Sequence, residues 1–158
     1  MDNKRIRTYA FWVVFTEGAG LLSGLLTKDG AKLYADTANK PPLSPPSIVF
    51  PIAWGILYLL IALAAARVDL CPKSPARTLG LRLWAAQFAV NFLWPVFFFN
   101  LRAYGFSLFW LLLLLALSVW TALTFRKTDR VSALLFVPYL LWLGFAVYLN
   151  AGVWVLNR

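Results

Sequence analysis

The chain alternates between long uncharged stretches and short clusters of charged residues. Five of the stretches are about 20 residues long or longer, the length a helix needs to cross the roughly 30 Å hydrocarbon core of a bilayer. They cover residues 8–27, 47–66, 83–101, 103–125 and 131–157. None shows the roughly ten-residue alternation of a membrane β-strand. The pattern therefore predicts an all-α integral membrane protein, a five-transmembrane-helix bundle that forms one membrane domain over residues 1–158.

The connections between these stretches differ in length, and only the first is long. It runs from Lys28 to Pro46, and its last six residues contain four prolines. Proline cannot continue a helix and favours an extended, stiff path. We therefore expect a long Pro-rich loop between helices 1 and 2 that folds over the end of the bundle.

Composition supports the membrane interpretation. Hydrophobic residues make up 61% of the chain and charged residues 13%, against roughly 45–50% and about 25% in soluble domains. A soluble chain of this size leaves about a third of its unfolded surface exposed, so it could not hide this much apolar area. A water-soluble domain is thus excluded, and the 17% aromatic content excludes disorder.

The first segment resembles a signal peptide only at its start. Lys4, Arg5 and Arg7 precede the apolar stretch, but Glu17 interrupts that stretch and no small-residue cleavage site follows. We expect a retained first helix.

Several classes of chemistry are excluded by missing residue types. The chain has no histidine and one cysteine, Cys71. Ser-His-Asp and Cys-His catalysis, histidine-ligated zinc, histidine-ligated haem and internal disulfides are therefore impossible. We predict no metal site and no resident cofactor.

The net charge of +9 predicts an orientation in the membrane. The basic residues fill the gaps between apolar runs, so nucleic acid is not an expected partner. Ten of them fall on the N-terminal side: Lys4, Arg5, Arg7, Arg67, Lys73, Arg77, Arg82, Arg126, Lys127 and Arg130. Five fall on the other: Lys28, Lys32, Lys40, Arg102 and Arg158. The positive-inside rule then places the N-terminus in the cytoplasm and the C-terminus outside.

Few polar side chains lie inside the predicted spans. Glu17 is the only acid there, and either it reaches an interface or it serves as a ligand or proton site. Gln87 and Asn91 are four residues apart and share one helix face. They either bond between helices, as buried amides in membranes often do, or point into a pocket.

The eight tryptophans divide by depth. Three lie near span ends, where an aromatic belt places them: Trp12, Trp84 and Trp154. Three lie deeper: Trp54, Trp94 and Trp142. Deep indoles need a hydrogen-bond partner and offer flat faces, which suits a large planar aromatic ligand. Elsewhere, Gly20 and Gly24 form a GxxxG pair that marks either close helix packing or a dimer contact.

Three segments together resemble the tryptophan-rich sensory protein, or translocator protein, family (the TspO/MBR family, formerly peripheral-type benzodiazepine receptors). Residues 39–54, NKPPLSPPSIVFPIAW, resemble its first-loop motif, and residues 87–98, QFAVNFLWPVFF, resemble its third helix. Residues 138–146, PYLLWLGFA, with Leu149-Asn150 and Val153-Trp154, resemble its fifth helix. The motifs occur in order and cover nearly the whole chain.

The resemblance implies a five-helix bundle, commonly a homodimer, with a ligand cavity under the first loop. Family ligands are porphyrins, above all protoporphyrin IX, and other flat hydrophobic molecules. The family's ligand-binding positions correspond here to Tyr34, Pro45, Phe50, Trp54, Gln87, Asn91, Trp94, Trp142 and Ala146. The deep indoles, the amide face and the proline-rich cover point to the same region independently.

The chain also departs from the family pattern. Tryptophans of the loop motif are replaced by Leu43 and Ile48, and an acid common in helix four is replaced by Trp110. The sterol-recognition pattern of animal members is absent, since Ala151 and Val155 stand at its positions. Sterol binding is the family activity least supported by this sequence.

Three functions follow as hypotheses. The first is a porphyrin-binding protein in tetrapyrrole transport, sensing or regulation, with propionates near Lys28, Lys32 or Lys40. The second is an enzyme for light- and oxygen-dependent porphyrin breakdown, in which Trp54 or Trp142 is the candidate catalytic residue. The third is a membrane scaffold whose cavity is incidental.

Overall fold

The computed structural model describes residues 3–158, and that range contains helices and no strand. The helices are α1 (Asn3–Thr37), α2 (Val49–Asp69), α3 (Pro75–Pro95), α4 (Tyr104–Arg126) and α5 (Arg130–Leu156), and a π-helical turn (Val96–Asn100) extends α3. The starts and ends of α2, α4 and α5 fall within three residues of the predicted spans. The prediction of an all-helical chain with five helices is confirmed.

Successive helices run in opposite directions, so their ends collect into two groups. At one end the Trp12 indole donates to Asp69 at 3.0 Å, and Arg67 pairs with Asp129 at 2.7 Å. We call this the basic end, because all ten cations of the N-terminal side lie on the chain segments that meet there. At the opposite end, the loop end, Asn39 and Asn157 exchange hydrogen bonds.

Helix α1 is longer than predicted. It spans 35 residues instead of 20, which corresponds to about 52 Å and exceeds the hydrocarbon core by about 20 Å. The charged residues that were expected to begin a loop, Lys28, Asp29, Lys32 and Asp36, are all exposed on the helix surface. A helix outside the hydrocarbon region tolerates charge on its exposed face, so the loss of apolar character did not mark its end.

The connection from Lys28 to Pro46 is accordingly corrected. Only residues 38–48, which we call the cover segment, lie between the two helices, and they form turns and extended backbone. Within it Leu43 adopts a φ of 66°, and Ser44 bonds back to the Pro41 carbonyl through both its backbone N–H and its hydroxyl. A left-handed leucine costs about 1–2 kcal/mol, so this turn is held against local strain.

Helix α3 begins earlier and ends differently than predicted. The Ser74 side chain accepts from the Arg77 backbone N–H at 3.1 Å, and Pro75 occupies the first turn. Both features are strong helix starts. At the other end Pro95 has no N–H to donate, and the chain continues as a π-helical turn.

Four of the described helices are long and apolar enough to cross a membrane: α1, α2, α4 and α5. Helix α3 carries Arg77 and Arg82 in its first half and the amides Gln87 and Asn91 in its second. Those four polar residues lower its mean hydropathy, although its C-terminal half is as aromatic as the other helices.

Small residues allow close packing at two places in the bundle. On α2, Ala62 and the run Ala64–Ala66 are fully buried, and the Trp84 indole donates to the nearby Ile61 carbonyl at 3.0 Å. A Cβ on Gly20 would collide with the ring of Tyr58, whereas Gly24 faces open space. Gly20 therefore serves packing inside the chain, and only Gly24 of the predicted GxxxG pair remains open.

A chain of hydrogen bonds joins the buried phenols to the amides of α3. The Tyr58 hydroxyl donates to Asn91 Oδ1 at 2.8 Å, and Asn91 Nδ2 donates to the Tyr139 hydroxyl at 2.7 Å. Tyr139 in turn donates to Gln87 Oε1 at 2.8 Å, and Ser118 donates to the same oxygen at 3.3 Å. This polar network connects α2, α3, α4 and α5, and all five of its side chains are buried.

An ion pair closes the basic end. Arg67 on α2 donates through two nitrogens to Asp129, which also caps α5 by accepting from Ser132. The hydrogen bond from Arg67, together with those from Ser132, lowers the pKa of Asp129 to about 2. The carboxylate therefore stays charged and keeps both contacts in the ordinary pH range.

The network predicts that Tyr139→Phe destabilises the protein by about 1–2 kcal/mol, because Asn91 loses an acceptor and Gln87 loses a donor in a dry interior. The measurement is the free energy of unfolding in mixed detergent micelles. Tyr148→Phe is the matched control, since its hydroxyl bonds to Pro42 at the exposed loop end, where water can replace it. Equal losses in the two variants would contradict the importance of the network.

Candidate functional site

Four of the predicted ligand residues come together between α2 and α5. Phe50 and Trp142 meet edge to face with ring centroids 6.1 Å apart. Trp54 lies one turn beyond Phe50 on α2, and Ala146 lies one turn beyond Trp142 on α5. We call Phe50, Trp54, Trp142 and Ala146 the α2–α5 face; each is half-buried.

The two predicted amides lie behind this face and contact it through tyrosines. The Trp54 ring lies 5.3 Å from Tyr58 and 6.4 Å from Tyr139, and those phenols bond to Asn91 and Gln87 in the polar network. The interhelical interpretation of the two amides is thus confirmed. Gln87 Nε2 nevertheless remains buried without a hydrogen-bond acceptor in the described chain, so the network retains one spare donor.

Two further predicted residues belong to a second aromatic group, at the loop end of α3. The Tyr34 ring lies 5.2 Å from Phe98 and 5.4 Å from Phe99, and Trp94 stacks on Phe98 at 4.8 Å. The Trp94 indole donates to Asn150 Oδ1 at 3.3 Å. This π-turn group places Tyr34 against α3, which the long helical extension of α1 makes possible.

The indoles of the bundle differ in whether their N–H groups form hydrogen bonds. Those of Trp84, Trp94 and Trp110 donate to the protein. The Trp54 and Trp142 indoles form no hydrogen bond with any described residue. Both side chains are half-buried, so their N–H groups are available to a bound molecule.

The cover segment is attached to α5 by hydrogen bonds and close packing. The Asn39 backbone N–H donates to Asn157 Oδ1 at 2.9 Å, and Asn157 Nδ2 donates to the Asn39 carbonyl at 2.8 Å. The Tyr148 hydroxyl donates to the Pro42 carbonyl at 2.7 Å. Gly152 lets Pro41 approach so closely that a Cβ there would lie 2.5 Å from the proline ring.

Pro45 and the three predicted propionate partners occupy different surroundings. Pro45 is half-buried within the cover segment. Lys40 donates to the Ala35 carbonyl at 2.8 Å and lies 5.4 Å from the centre of the Tyr34 ring. Lys28 and Lys32 are exposed on the extension of α1. Of the three cations, only Lys40 contacts a predicted ligand residue.

Glu17 lies half-buried on α1 and forms no ion pair with any described residue. Its role as a ligand or proton site stays a prediction, as does the ligand-binding role of the nine residues named from the sequence. The structure places four of those nine on the α2–α5 face, two in the polar network, two in the π-turn group and Pro45 in the cover segment.

Sequence reasoning missed the phenols that organise the site. Tyr58 and Tyr139 lie within uncharged spans, and neither was singled out. The available signal was the hydroxyl itself, because a tyrosine in mid-membrane needs a polar partner and Gln87 and Asn91 were the nearest candidates by depth.

Comparison with known proteins agrees with this architecture. The model of the TspO/MBR family matches residues 12–155. The protein CrtK of Rhodobacter capsulatus is 40% identical over 94% of this chain and 92% of its own length. The tryptophan-rich protein TspO of Chlorobaculum tepidum is 33% identical over 98% of this chain and 99% of its own.

An animal protein matches over a similar range. The translocator protein of Ovis aries is 33% identical over 94% of this chain and 88% of its own length. The matches run through the whole bundle, from the basic end of α1 to the last turns of α5, and are not confined to one motif. The chain therefore belongs to the TspO/MBR family of membrane proteins.

Proposed function

We propose that this protein binds porphyrins of the protoporphyrin IX type, and similar flat hydrophobic ligands, against the α2–α5 face beneath the cover segment, and acts in tetrapyrrole transport, sensing or regulation. The observation that carries the proposal is the aromatic α2–α5 face, on which Trp54 and Trp142 are half-buried and form no hydrogen bond with a described residue through their indole N–H groups. A macrocycle stacked on these indoles would bury apolar area and bring acceptors to both nitrogens.

The charge distribution around the loop end suits such a ligand. Porphyrin propionates are anionic, and Lys40 holds its ammonium beside the Tyr34 ring at the edge of the cover segment. Lys28 and Lys32 are exposed on the part of α1 that extends toward the loop end. The macrocycle would lie in the apolar interior with its carboxylates toward these cations.

A second candidate function is light- and oxygen-dependent porphyrin breakdown. The observation that favours it is a series of redox-active rings next to the α2–α5 face. The Trp54 ring lies 5.3 Å from the Tyr58 ring, and Tyr58 and Tyr139 both hydrogen-bond to Asn91. Aromatic rings so close can share or quench a radical formed beside an excited porphyrin. Trp54 and Trp142 would be the residues that touch the reacting ligand.

In this proposal the chain crosses the membrane five times, because α3 spans the bilayer in addition to α1, α2, α4 and α5. Arg77 and Arg82 lie in its first two turns at the basic end, where long side chains can extend to the interface. Residues 83–101 are then free of charge. With ten cations at one end and five at the other, the N-terminus is cytoplasmic and the C-terminus lies outside.

Porphyrin binding tests the site directly. Trp54→Ala and Trp142→Ala should each raise the dissociation constant for protoporphyrin IX roughly tenfold, because one aromatic stacking contact contributes about 1–3 kcal/mol. The measurement is the porphyrin absorbance shift in darkness. Trp120→Ala is the matched control, since Trp120 is exposed near the basic end of α4, remote from the α2–α5 face.

Equal weakening in all three variants would count against this location, and no absorbance shift in the wild-type protein would leave the scaffold function. Repeating the titration under light and oxygen separates binding from breakdown. The enzyme function would be supported if the wild-type protein bleached the porphyrin absorbance band at a rate proportional to protein concentration. The Trp54→Phe and Trp142→Phe variants should then leave the band intact.

The attachment of the cover segment should control how fast the ligand leaves. The double variant Asn157→Ala, Tyr148→Phe removes three hydrogen bonds between this segment and α5, so porphyrin release should accelerate about tenfold. Stopped-flow transfer of porphyrin to an acceptor protein measures the rate. Asn100→Ala is the control, because it loses a bond from the same end of the bundle to Leu26 and none to the cover segment. An unchanged release rate in the double variant would mean that the ligand leaves between helices.

Orientation is testable through the single cysteine. Cys71 lies at the basic end, in the turn between α2 and α3, so a membrane-impermeant thiol reagent should label it only after cells are broken open. The control places a cysteine at the other end, by Leu43→Cys in a Cys71→Ser background, where the native side chain is 82% exposed. That variant should label in intact cells, and the opposite pattern would reverse the topology.

A further inference from the structure

A groove opens at the basic end, remote from the porphyrin site proposed above. It has a volume of about 600 Å³ and lies where α4 ends and α5 begins. Its lining residues are Trp120, Leu123, Thr124, Arg126, Lys127 and Arg130. None of the nine residues predicted to bind the family ligand lines it, so the groove requires its own explanation.

The charged wall of the groove is strongly positive. Arg126, Lys127 and Arg130 are exposed, and none of them forms an ion pair with a described residue. The acid beside them in the chain, Asp129, is already occupied by Arg67 and Ser132. Three cations within five residues, without a carboxylate to neutralise them, form a site for an anion.

The other wall is apolar and lies on the membrane side of the cations. Trp120 is 53% exposed and Leu123 is 56% exposed, both on the last two turns of α4. A tryptophan near the end of a spanning helix lies at the level of lipid headgroups. The groove therefore offers a hydrocarbon surface directly below a cluster of positive charge.

This combination matches one ligand chemistry. A phosphate diester with acyl chains would place its negative charge among the cations and lay a chain along Trp120 and Leu123. A free phosphate ion would use the cations alone and leave the apolar wall uncovered. Basic pockets between helix ends are suited to anionic lipid headgroups.

We infer that this groove is a binding site for an anionic phospholipid, with Arg126, Lys127 and Arg130 holding the headgroup phosphate and Trp120 with Leu123 contacting an acyl chain. The site is independent of the porphyrin proposal, because it lies at the opposite end of the bundle and shares no residue with it.

The test is native mass spectrometry of the full chain in detergent, titrated with phosphatidylglycerol or phosphatidylcholine. The wild-type protein should retain phosphatidylglycerol in preference to phosphatidylcholine. The groove variant Arg126→Gln, Lys127→Gln, Arg130→Gln should bind phosphatidylglycerol about tenfold more weakly or worse, since each cation near the membrane surface adds attraction.

The matched control removes the same charge from exposed cations of the same end outside the groove: Arg5→Gln, Lys73→Gln, Arg82→Gln. It should bind phosphatidylglycerol as the wild type does. A second variant, Trp120→Ala, keeps every cation. It should weaken the binding of phosphatidylglycerol and leave the helical content, measured by circular dichroism, unchanged.

Three outcomes would overturn the inference. Unchanged phosphatidylglycerol binding in the groove variant would show that the lipid binds elsewhere. Equal weakening in the control triple variant would show a general effect of net charge. Displacement of phosphatidylglycerol by inorganic phosphate at matched concentration, with no effect of Trp120→Ala, would show a site for free anions.

Discussion

The hydrogen-bonded network around Tyr139 is the constraint on which the rest of the bundle depends. Apolar packing alone leaves membrane helices free to slide and rotate, because lipid tails are as apolar as leucine. A buried amide restricts that freedom, since every position that separates Asn91 from its two phenols leaves polar groups unpaired. The network thereby fixes the depth and rotation of α2, α3 and α5, and Ser118 adds α4.

The same constraint sets the geometry of the candidate site. Trp54 contacts both phenols of the network, and Trp142 lies one turn beyond Tyr139, on the same helix. Trp54 is thus held against two phenols whose hydroxyls are hydrogen-bonded, and Trp142 is held against Phe50 and Phe145. The α2–α5 face thus lies between the polar network and the proline-rich cover segment that is attached to α5.

Hydropathy predicted the helices well and their ends poorly, for a physical reason. Hydropathy indicates which residues need apolar surroundings, so it predicted the ends of α2, α4 and α5 to within a few residues. It failed at the end of α1, where Lys28 and Lys32 continue the helix, and at the start of α3, which begins at Pro75 and not at residue 83. The family motifs named nine site residues, and the structure divides them among four surroundings. The sequence shows that the hydroxyls of Tyr58 and Tyr139 need polar partners, but which partners they meet depends on tertiary contacts.

The link between Asn39 and Asn157 has a consequence for synthesis of the protein. These residues are separated by 118 positions in the chain, so the cover segment leaves the ribosome on the order of ten seconds before its anchor does, at typical elongation rates. During that interval α1 and α2 have been synthesised, yet the cover segment lacks its hydrogen-bond partners on α5. Attachment of the cover segment therefore waits for synthesis of α5, and a nascent chain arrested before that helix would leave the aromatic side chains of α2 without their α5 contacts.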